Sequence, residues 1–184
     1  MIKEDTEDYS PLLKAVKNGH LDEVQSLVSR GANVNQGNAE GWTPLMIAAK
    51  TGIVDILKFL RDQGAKNTVS VKGLTALHFA ANLGNIHVIN YLISQDAEVN
   101  KGDNSCVTAL HIAALNGHLD AVKYLTSQGA EISDEFYNGN LSPEKALVFY
   151  LLENGAKTDV ADKSGKLPIH YAKDEVVEQM ILSR

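Results

Sequence analysis

The sequence predicts an all-α repeat solenoid, in which helix-turn-helix units joined by β-hairpin-like loops stack along one axis. Three observations predict this fold. A threonine or serine recurs at positions 10, 43, 75, 108 and 142, in steps of 33, 32, 33 and 34 residues. A glycine recurs in the same register at positions 19, 52, 84 and 117. Each unit also carries two apolar stripes at helical spacing, and a unit this small buries both only by stacking on its neighbours.

The second unit shows most clearly why each period begins with a helix. Thr43 is a residue type favoured as an N-cap, and Pro44 suits the first helical position, where its missing N–H is not needed. Ala48 and Ala49 lie on one apolar stripe, and their small side chains allow a neighbouring helix to approach closely. Gly52 is expected to end the helix in the left-handed conformation that glycine adopts at little cost.

A second helix is predicted in the other half of the period. Ile53, Ile56, Leu57 and Leu60 form its apolar stripe, and Gly64 closes it. The same pattern recurs in the third and fourth units. About ten residues rich in Gly, Asn and Asp remain in each period, a composition that suits a turn or hairpin.

The whole chain, residues 1–184, is interpreted as a single repeat domain of six units. The expected units are residues 6–37, 38–69, 70–102 and 103–136, a shortened unit at 137–161, and a C-terminal cap at 162–184. A capped array gives no reason to expect assembly, so a monomer is predicted. The shortened unit has two interpretations: tolerated drift near a terminus, or a defect that exposes Phe136, Tyr137 and Phe149 to a partner.

Several motifs that recur in register identify a family resemblance. They are Thr43-Pro44-Leu45, Leu110-His111, Gly19-His20, Gly117-His118, Gly31-Ala32-Asn33-Val34-Asn35 and Ala97-Glu98-Val99-Asn100. These motifs resemble the ankyrin repeat, whose signature is Thr-Pro-Leu-His, an Ala-Ala pair, Gly-His and a closing Gly-Ala-x-Val-Asn. The resemblance covers nearly the whole chain and implies an ankyrin-repeat stack.

The residues that most often carry catalysis or bind metals have structural interpretations here. His78, His111 and His170 stand at the motif histidine, and the resemblance implies that they lock adjacent repeats together. Cys106 is the only cysteine, which excludes an intramolecular disulfide and a multi-cysteine zinc site. No phosphate-binding loop, nucleophile elbow or His-Glu-x-x-His motif is present. The sequence therefore predicts no enzyme and no cofactor, and an enzymatic alternative would rest on the unpaired Cys106 alone.

Charge and hydropathy restrict the partners. The chain has 17 Lys plus Arg against 23 Asp plus Glu, a net charge of -6, which argues against nucleic acid. No run approaches 18 apolar residues and the first residues are polar, so neither a membrane span nor a signal peptide is expected. An intracellular protein is predicted, in the cytoplasm first, with the nucleus as the alternative.

The leading functional prediction is a scaffold or adaptor that binds a protein or peptide. The alternative is a stoichiometric inhibitor or regulatory subunit of a kinase or transcription factor. The resemblance implies that the partner binds the concave face, where Lys17, Lys50 and Lys72 would favour an acidic partner. Exposed apolar side chains are expected to line up there, with Trp42 either a dominant contact or a structural residue. The predicted partner-binding residues are Trp42, Lys50, Leu74, Leu83, Val107, Leu115 and Asn116.

The resemblance also implies a possible modification. Asn35 and Asn100 end Val-Asn pairs, with Leu27 and Leu92 eight residues earlier, and family members with this spacing can be substrates of an asparaginyl hydroxylase. The other interpretation, which is preferred, is that both side chains simply hydrogen-bond the hairpin.

Overall fold

The computed structural model describes residues 9–116 and 118–130, and within these ranges every regular element is a helix. The helices are α1 (Pro11–Asn18), α2 (Leu21–Ser29), α3 (Pro44–Thr51), α4 (Val54–Asp62), α5 (Ala76–Leu83), α6 (Ile86–Ser94), α7 (Ala109–Leu115) and α8 (Leu119–Ser127). They form four successive pairs in the predicted register, which confirms the all-α repeat solenoid. The expected shortened unit, its three aromatics, the C-terminal cap and His170 lie outside the described residues.

The predicted helix boundaries are confirmed at the glycines that separate the two helices of a unit. Gly19, Gly52 and Gly84 end α1, α3 and α5 with φ of 76°, 78° and 66°. The Gly52 N–H donates to the carbonyl of Ala48 and so satisfies one of the last carbonyls of α3. The chain then turns directly into the second helix of the pair.

The core runs without interruption through the four described pairs. On the first helices its members include small residues, and Ala48, Ala49, Ala80 and Ala81 have no exposed surface. The first helices therefore contact one another more extensively than the second helices do. The first helices and the hairpin loops form the side of the stack that the family resemblance implies to be its concave face.

The loops between units are tight hairpin-like turns, as predicted. In each turn a backbone N–H donates to the carbonyl four residues later: Asn38 to Trp42 (3.2 Å), Ser70 to Leu74 (2.9 Å) and Asp103 to Val107 (2.9 Å). Neighbouring turns are also joined, because Val71 N–H donates to Glu40 O at 2.9 Å and Asn104 N–H donates to Lys72 O at 3.0 Å. The turns therefore form a continuous, hydrogen-bonded edge along the stack.

One motif histidine, His78, joins its repeat to the next, as the resemblance implied. In the third unit the backbone N–H of Thr75 donates to Nδ1 of His78 at 3.1 Å. Nδ1 is thus an acceptor, so the ring proton is on Nε2, which donates to the Val107 carbonyl of the next unit at 2.9 Å. Thr108 and His111 repeat the Thr–His capping box at the start of α7.

The second unit lacks this capping box because Met46 stands at the histidine position. Thr43 is the N-cap residue of α3, as predicted, but its side chain makes no capping hydrogen bond. Its buried Oγ1 has no hydrogen-bond partner in the described structure. A buried hydroxyl without a partner costs free energy. The N-cap of α3 therefore stabilises its helix less than the capping boxes of α5 and α7 stabilise theirs.

We expect Met46→His to raise the free energy of unfolding by about 1 kcal/mol, the usual contribution of a helix cap. Met46 and His78 are buried to similar extents, so the imidazole fits a site of the same kind. Urea denaturation of a double-mutant cycle with Thr43→Val measures the effect. Thr43→Val should lower the free energy of unfolding little in the wild-type chain and by about 1 kcal/mol in the Met46→His variant. Strictly additive effects would show that no capping box had formed.

The buried position of His78 makes stability depend on pH. Burial is the main influence and lowers its pKa below the ordinary 6.5, while the Val107 carbonyl and the Asp103 carboxylate raise it less. Because the folded pKa lies below the unfolded one, the unfolded state binds more protons in this range. The contribution of His78 is therefore complete above about pH 6.5 and declines as the pH falls toward the folded pKa. Urea unfolding at about pH 8 and pH 5 should show this decline, and His78→Asn should reduce it. An unchanged pH dependence in His78→Asn would contradict this assignment.

Candidate functional site

The candidate site is the open concave face, which repeats the same positions in each unit. The first position precedes the capping threonine or serine. The others are the last two residues of the first helix or, in the fourth unit, the last residue of α7 and its C-cap Asn116. We define the concave face as Tyr9, Lys17, Asn18, Trp42, Lys50, Thr51, Leu74, Asn82, Leu83, Val107, Leu115 and Asn116, together with the hairpin tips.

In the first two units an aromatic ring supports a lysine. The Lys17 ammonium lies 5.3 Å from the centre of the Tyr9 ring. The Lys50 ammonium lies 4.9 Å from the centre of the Trp42 ring. Both distances are in the range of cation–π interactions, which favour keeping the charge over the ring. Because α1 and α3 are neighbours, the two ammonium groups occupy equivalent positions one repeat apart.

Trp42 is buried, whereas the sequence predicted an exposed apolar side chain. Only 7 % of its surface is accessible. Its ring packs edge-on against Phe79 of the next unit, with ring centres 5.1 Å apart and an interplanar angle of 69°. The expectation of an exposed apolar Trp42 is therefore wrong, because the inter-repeat contact covers the ring. Trp42 reaches the concave face mainly as the support for Lys50.

The exposed apolar surface lies in the third unit. Leu83, at the end of α5, is 44 % exposed, and Leu74 is half-buried. Val71, at the tip of the same unit's hairpin, is 69 % exposed. Val71 was not among the predicted binding residues, although the sequence carries a signal for it, since the corresponding tip residues are the less apolar Ala39 and Asn104. The structure thus brings Leu74 and Leu83 together in one unit and adds Val71 at its edge.

The fourth unit contributes a more polar end to the face. Val107 is half-buried, and Asn116 is exposed. The Asn116 side-chain amide donates to Oδ1 of Asn82 at 3.2 Å and to the Ile112 carbonyl at 3.0 Å. Leu115 lies in α7, and its side chain is outside the described part of the structure.

Three lysines and two carboxylates are the charged residues described on this face. Lys17 and Lys72 are exposed, and Lys50 is half-exposed over its ring. Of the two acidic residues on the described hairpins, Asp103 directs Oδ1 to the N–H groups of Ser105 and Val107, at 2.8 and 3.0 Å. Its charge is therefore partly satisfied within its own turn, and Glu40 is the other carboxylate. Among the described residues, this face thus carries three lysines and two carboxylates, in a chain whose net charge is -6.

The described histidines and the single cysteine occupy turns and helix ends. The described ranges contain no group of three or more His, Cys, Asp or Glu residues arranged to hold a metal ion. Cys106 is exposed and adopts a φ of 63° in a turn where Gly41 and Gly73 occupy the corresponding positions. His20 and His118 are N-cap residues of α2 and α8. No helix in the described ranges has the length and apolar character needed to cross a membrane.

The two candidate modification sites make inter-repeat hydrogen bonds. The Asn35 side-chain amide donates to the Gly64 carbonyl at 3.1 Å, and its Oδ1 accepts from the Lys66 N–H at 2.8 Å. The Asn100 amide donates to the Gly129 carbonyl at 3.0 Å. These contacts agree with the structural interpretation of both asparagines, and hydroxylation stays a prediction.

Paired short helices, linked hairpins and an open face define a repeat solenoid of the protein-interaction class. A family model described as ankyrin repeats (3 copies) matches residues 2–71 and 62–135. The chain belongs to the ankyrin-repeat family. Ankyrin repeats generally mediate protein–protein interaction.

The similar proteins are much longer than the region they share with this chain. Alpha-latrocrustotoxin-Lt1a of Latrodectus tredecimguttatus is 38 % identical over 104 residues, covering 55 % of this chain and 7 % of the toxin. Ankyrin repeat and SOCS box protein 2 of Homo sapiens is 32 % identical over 98 residues, covering 52 % of this chain and 15 % of that protein. The 2-5A-dependent ribonuclease of Homo sapiens is 42 % identical over 82 residues, covering 44 % of this chain and 11 % of the enzyme.

Proposed function

We propose that the chain is a non-enzymatic scaffold or adaptor that binds a protein or peptide partner on its concave face. It acts inside the cell, in the cytoplasm or secondarily the nucleus, as a monomer that binds neither nucleic acid nor a membrane. The observation that carries the proposal is the exposed apolar surface of Leu83, Leu74 and Val71 beside Lys50 and Lys72. Apolar side chains grouped on one face are typical of interaction surfaces.

The proposed contacts keep the residues that the sequence indicated and change the role of one. Leu83 and Leu74 contribute the apolar contact, while Lys50 and Asn116 contribute polar groups at its edges. Trp42 contributes through Lys50, because its ring lies under the Lys50 ammonium. Val107 and Leu115 extend the surface into the fourth unit.

Selection of random peptides displayed on phage tests this proposal. Peptides enriched on the full chain would be assayed against a double variant of the concave face, Lys50→Gln with Leu83→Ser. The matched control is Lys58→Gln with Val69→Ser, because Lys58 is exposed on the second helix α4 and Val69 is 49 % exposed in the loop before the turn. We expect about tenfold or greater loss of affinity in the concave-face variant alone. Equal binding by both variants, or the absence of any enriched peptide, would contradict the proposal.

A further inference from the structure

We propose that Asn18 is a site of spontaneous deamidation on the concave face, and that the fold protects the matching asparagine of the fourth unit, Asn116, from the same reaction. The reaction is independent of the proposed partner and needs only water.

The first observation is that the same five residues occur at equivalent places in two units. Asn-Gly-His-Leu-Asp stands at residues 18–22 and again at residues 116–120. A glycine after an asparagine favours deamidation, because glycine has no Cβ to shield its backbone nitrogen from the asparagine side chain. Among the described asparagines, Asn18 and Asn116 are the two that precede a glycine. Since the residues that follow them are identical, a large difference in rate between them comes from the fold.

The reaction at Asn18 has two steps. The Gly19 backbone nitrogen gives up its proton to solvent and bonds to Cγ of Asn18, while the Cγ–Nδ2 bond breaks and the nitrogen takes up a proton and leaves as ammonia. Water then opens the cyclic imide that has formed. Addition at Cγ yields aspartate, and addition at the backbone carbonyl carbon of residue 18 yields isoaspartate. One water is consumed and one ammonia is released, so neither an oxidant nor a reductant is required.

The second observation is that the two side chains are held differently. Nδ2 of Asn116 donates to Oδ1 of Asn82 at 3.2 Å and to the Ile112 carbonyl at 3.0 Å. Both hydrogen bonds must break before Cγ of Asn116 turns toward the following nitrogen. Asn18 is exposed, and its side chain makes no hydrogen bond within the part of the chain that the structure describes. Its side chain therefore reaches the reactive orientation without that cost.

The end of α1 must still open for Asn18 to react. Asn18 is the last residue of α1, and the Gly19 N–H donates to the Val16 carbonyl at 3.1 Å. Helix ends fray, and such local opening leaves the core folded. Each event converts the amide into a carboxylate, directly after Lys17 in the sequence. The candidate binding surface therefore gains negative charge as the protein ages.

Incubation of the full chain in mildly alkaline buffer, followed by tryptic peptide mapping, measures the rate at each asparagine. The peptide of residues 18–30 contains Asn18, and the peptide of residues 102–123 contains Asn116, which fragmentation distinguishes from Asn104. We expect Asn18 to deamidate about fivefold faster than Asn116 or more, the factor that corresponds to one hydrogen bond of about 1 kcal/mol. In concentrated urea, where the fold is lost, the two rates should become similar.

Two variants isolate the cause of the protection. Asn82→Ala removes one acceptor of the Asn116 amide and should raise the rate at Asn116 about two- to fivefold, with no change at Asn18. The matched control is Asn90→Ala, because Oδ1 of Asn90 accepts from the Tyr124 hydroxyl at 2.8 Å and so also joins the third unit to the fourth. Asn90→Ala should leave both rates unchanged.

Three results would overturn the inference. The first is a rate at Asn116 that equals or exceeds the rate at Asn18 in the folded chain. The second is a difference between the two sites that persists in urea. The third is an equal acceleration at Asn116 from Asn90→Ala and from Asn82→Ala, which would mean that general loosening of the stack, and not the side-chain hydrogen bond, controls the reaction.

Discussion

Gly84→Ala is expected to lower the free energy of unfolding by about 3 kcal/mol. Gly84 has a φ of 66°, which a residue with a Cβ adopts only at a cost. An added Cβ would also lie 2.5 Å from Cγ and 2.6 Å from Nδ1 of His118 in the next unit. His118 cannot easily yield, because its Nε2 hydrogen-bonds with the Asn82 carbonyl at 3.0 Å. Backbone strain and a steric clash therefore act together.

Gly64→Ala separates the two causes. Gly64 has a φ of 84°, but no atom lies within 4 Å of an added Cβ. Gly64→Ala should lower the free energy of unfolding by only about 1 kcal/mol, because it adds backbone strain without a steric clash. Urea denaturation of both variants measures the difference. Equal losses would mean that the close approach of His118 does not restrict residue 84.

Ala81→Leu is expected to destabilise the chain by a similar amount, about 3 kcal/mol. Ala81 has no exposed surface and lies on α5, which packs against α3 on one side and α7 on the other. Three additional carbon atoms would force these first helices apart. Because the damage arises at an interface between repeats, it should weaken the cooperativity of unfolding as well as stability.

The adjacent residue provides the matched control. Asn82 is exposed, and Asn82→Leu adds a side chain of the same size one position along the same helix. It loses only the hydrogen bond from Asn116, so we expect a cost of about 0.5 kcal/mol. Thermal unfolding followed by circular dichroism compares the two variants. A comparable loss in both would show that leucine is poorly tolerated in this helix in general, and that close packing at Ala81 is not the cause.

The parts of the fold that depend on local chemistry were predictable from the sequence. Pro44 and Gly52 define α3 because both act through their own backbone conformations, and the 33-residue spacing then extends the assignment to the other units. The unpaired hydroxyl of Thr43 was also implicit, since Met46 stands where the third and fourth units carry His78 and His111. These features need only a short segment of chain to be recognised.

The candidate site was less predictable because exposure depends on contacts between units. Trp42 is covered by Phe79, which lies in the following repeat, and no local pattern indicates which face of the indole is buried. Leu83, at the end of α5 in the next unit, stays exposed. The distinction between a supporting ring and a contacting side chain therefore required the packed structure.

Backbone amide chemical-shift mapping tests the central claim most directly. A peptide enriched by display on the full chain would be titrated into isotopically labelled protein. We predict that the largest shifts fall at the ends of α1, α3 and α5 and at the turn around Val71, while the exposed residues of α2 and α4 stay unchanged. Shifts concentrated on α2, α4 and α6 would contradict a concave binding face.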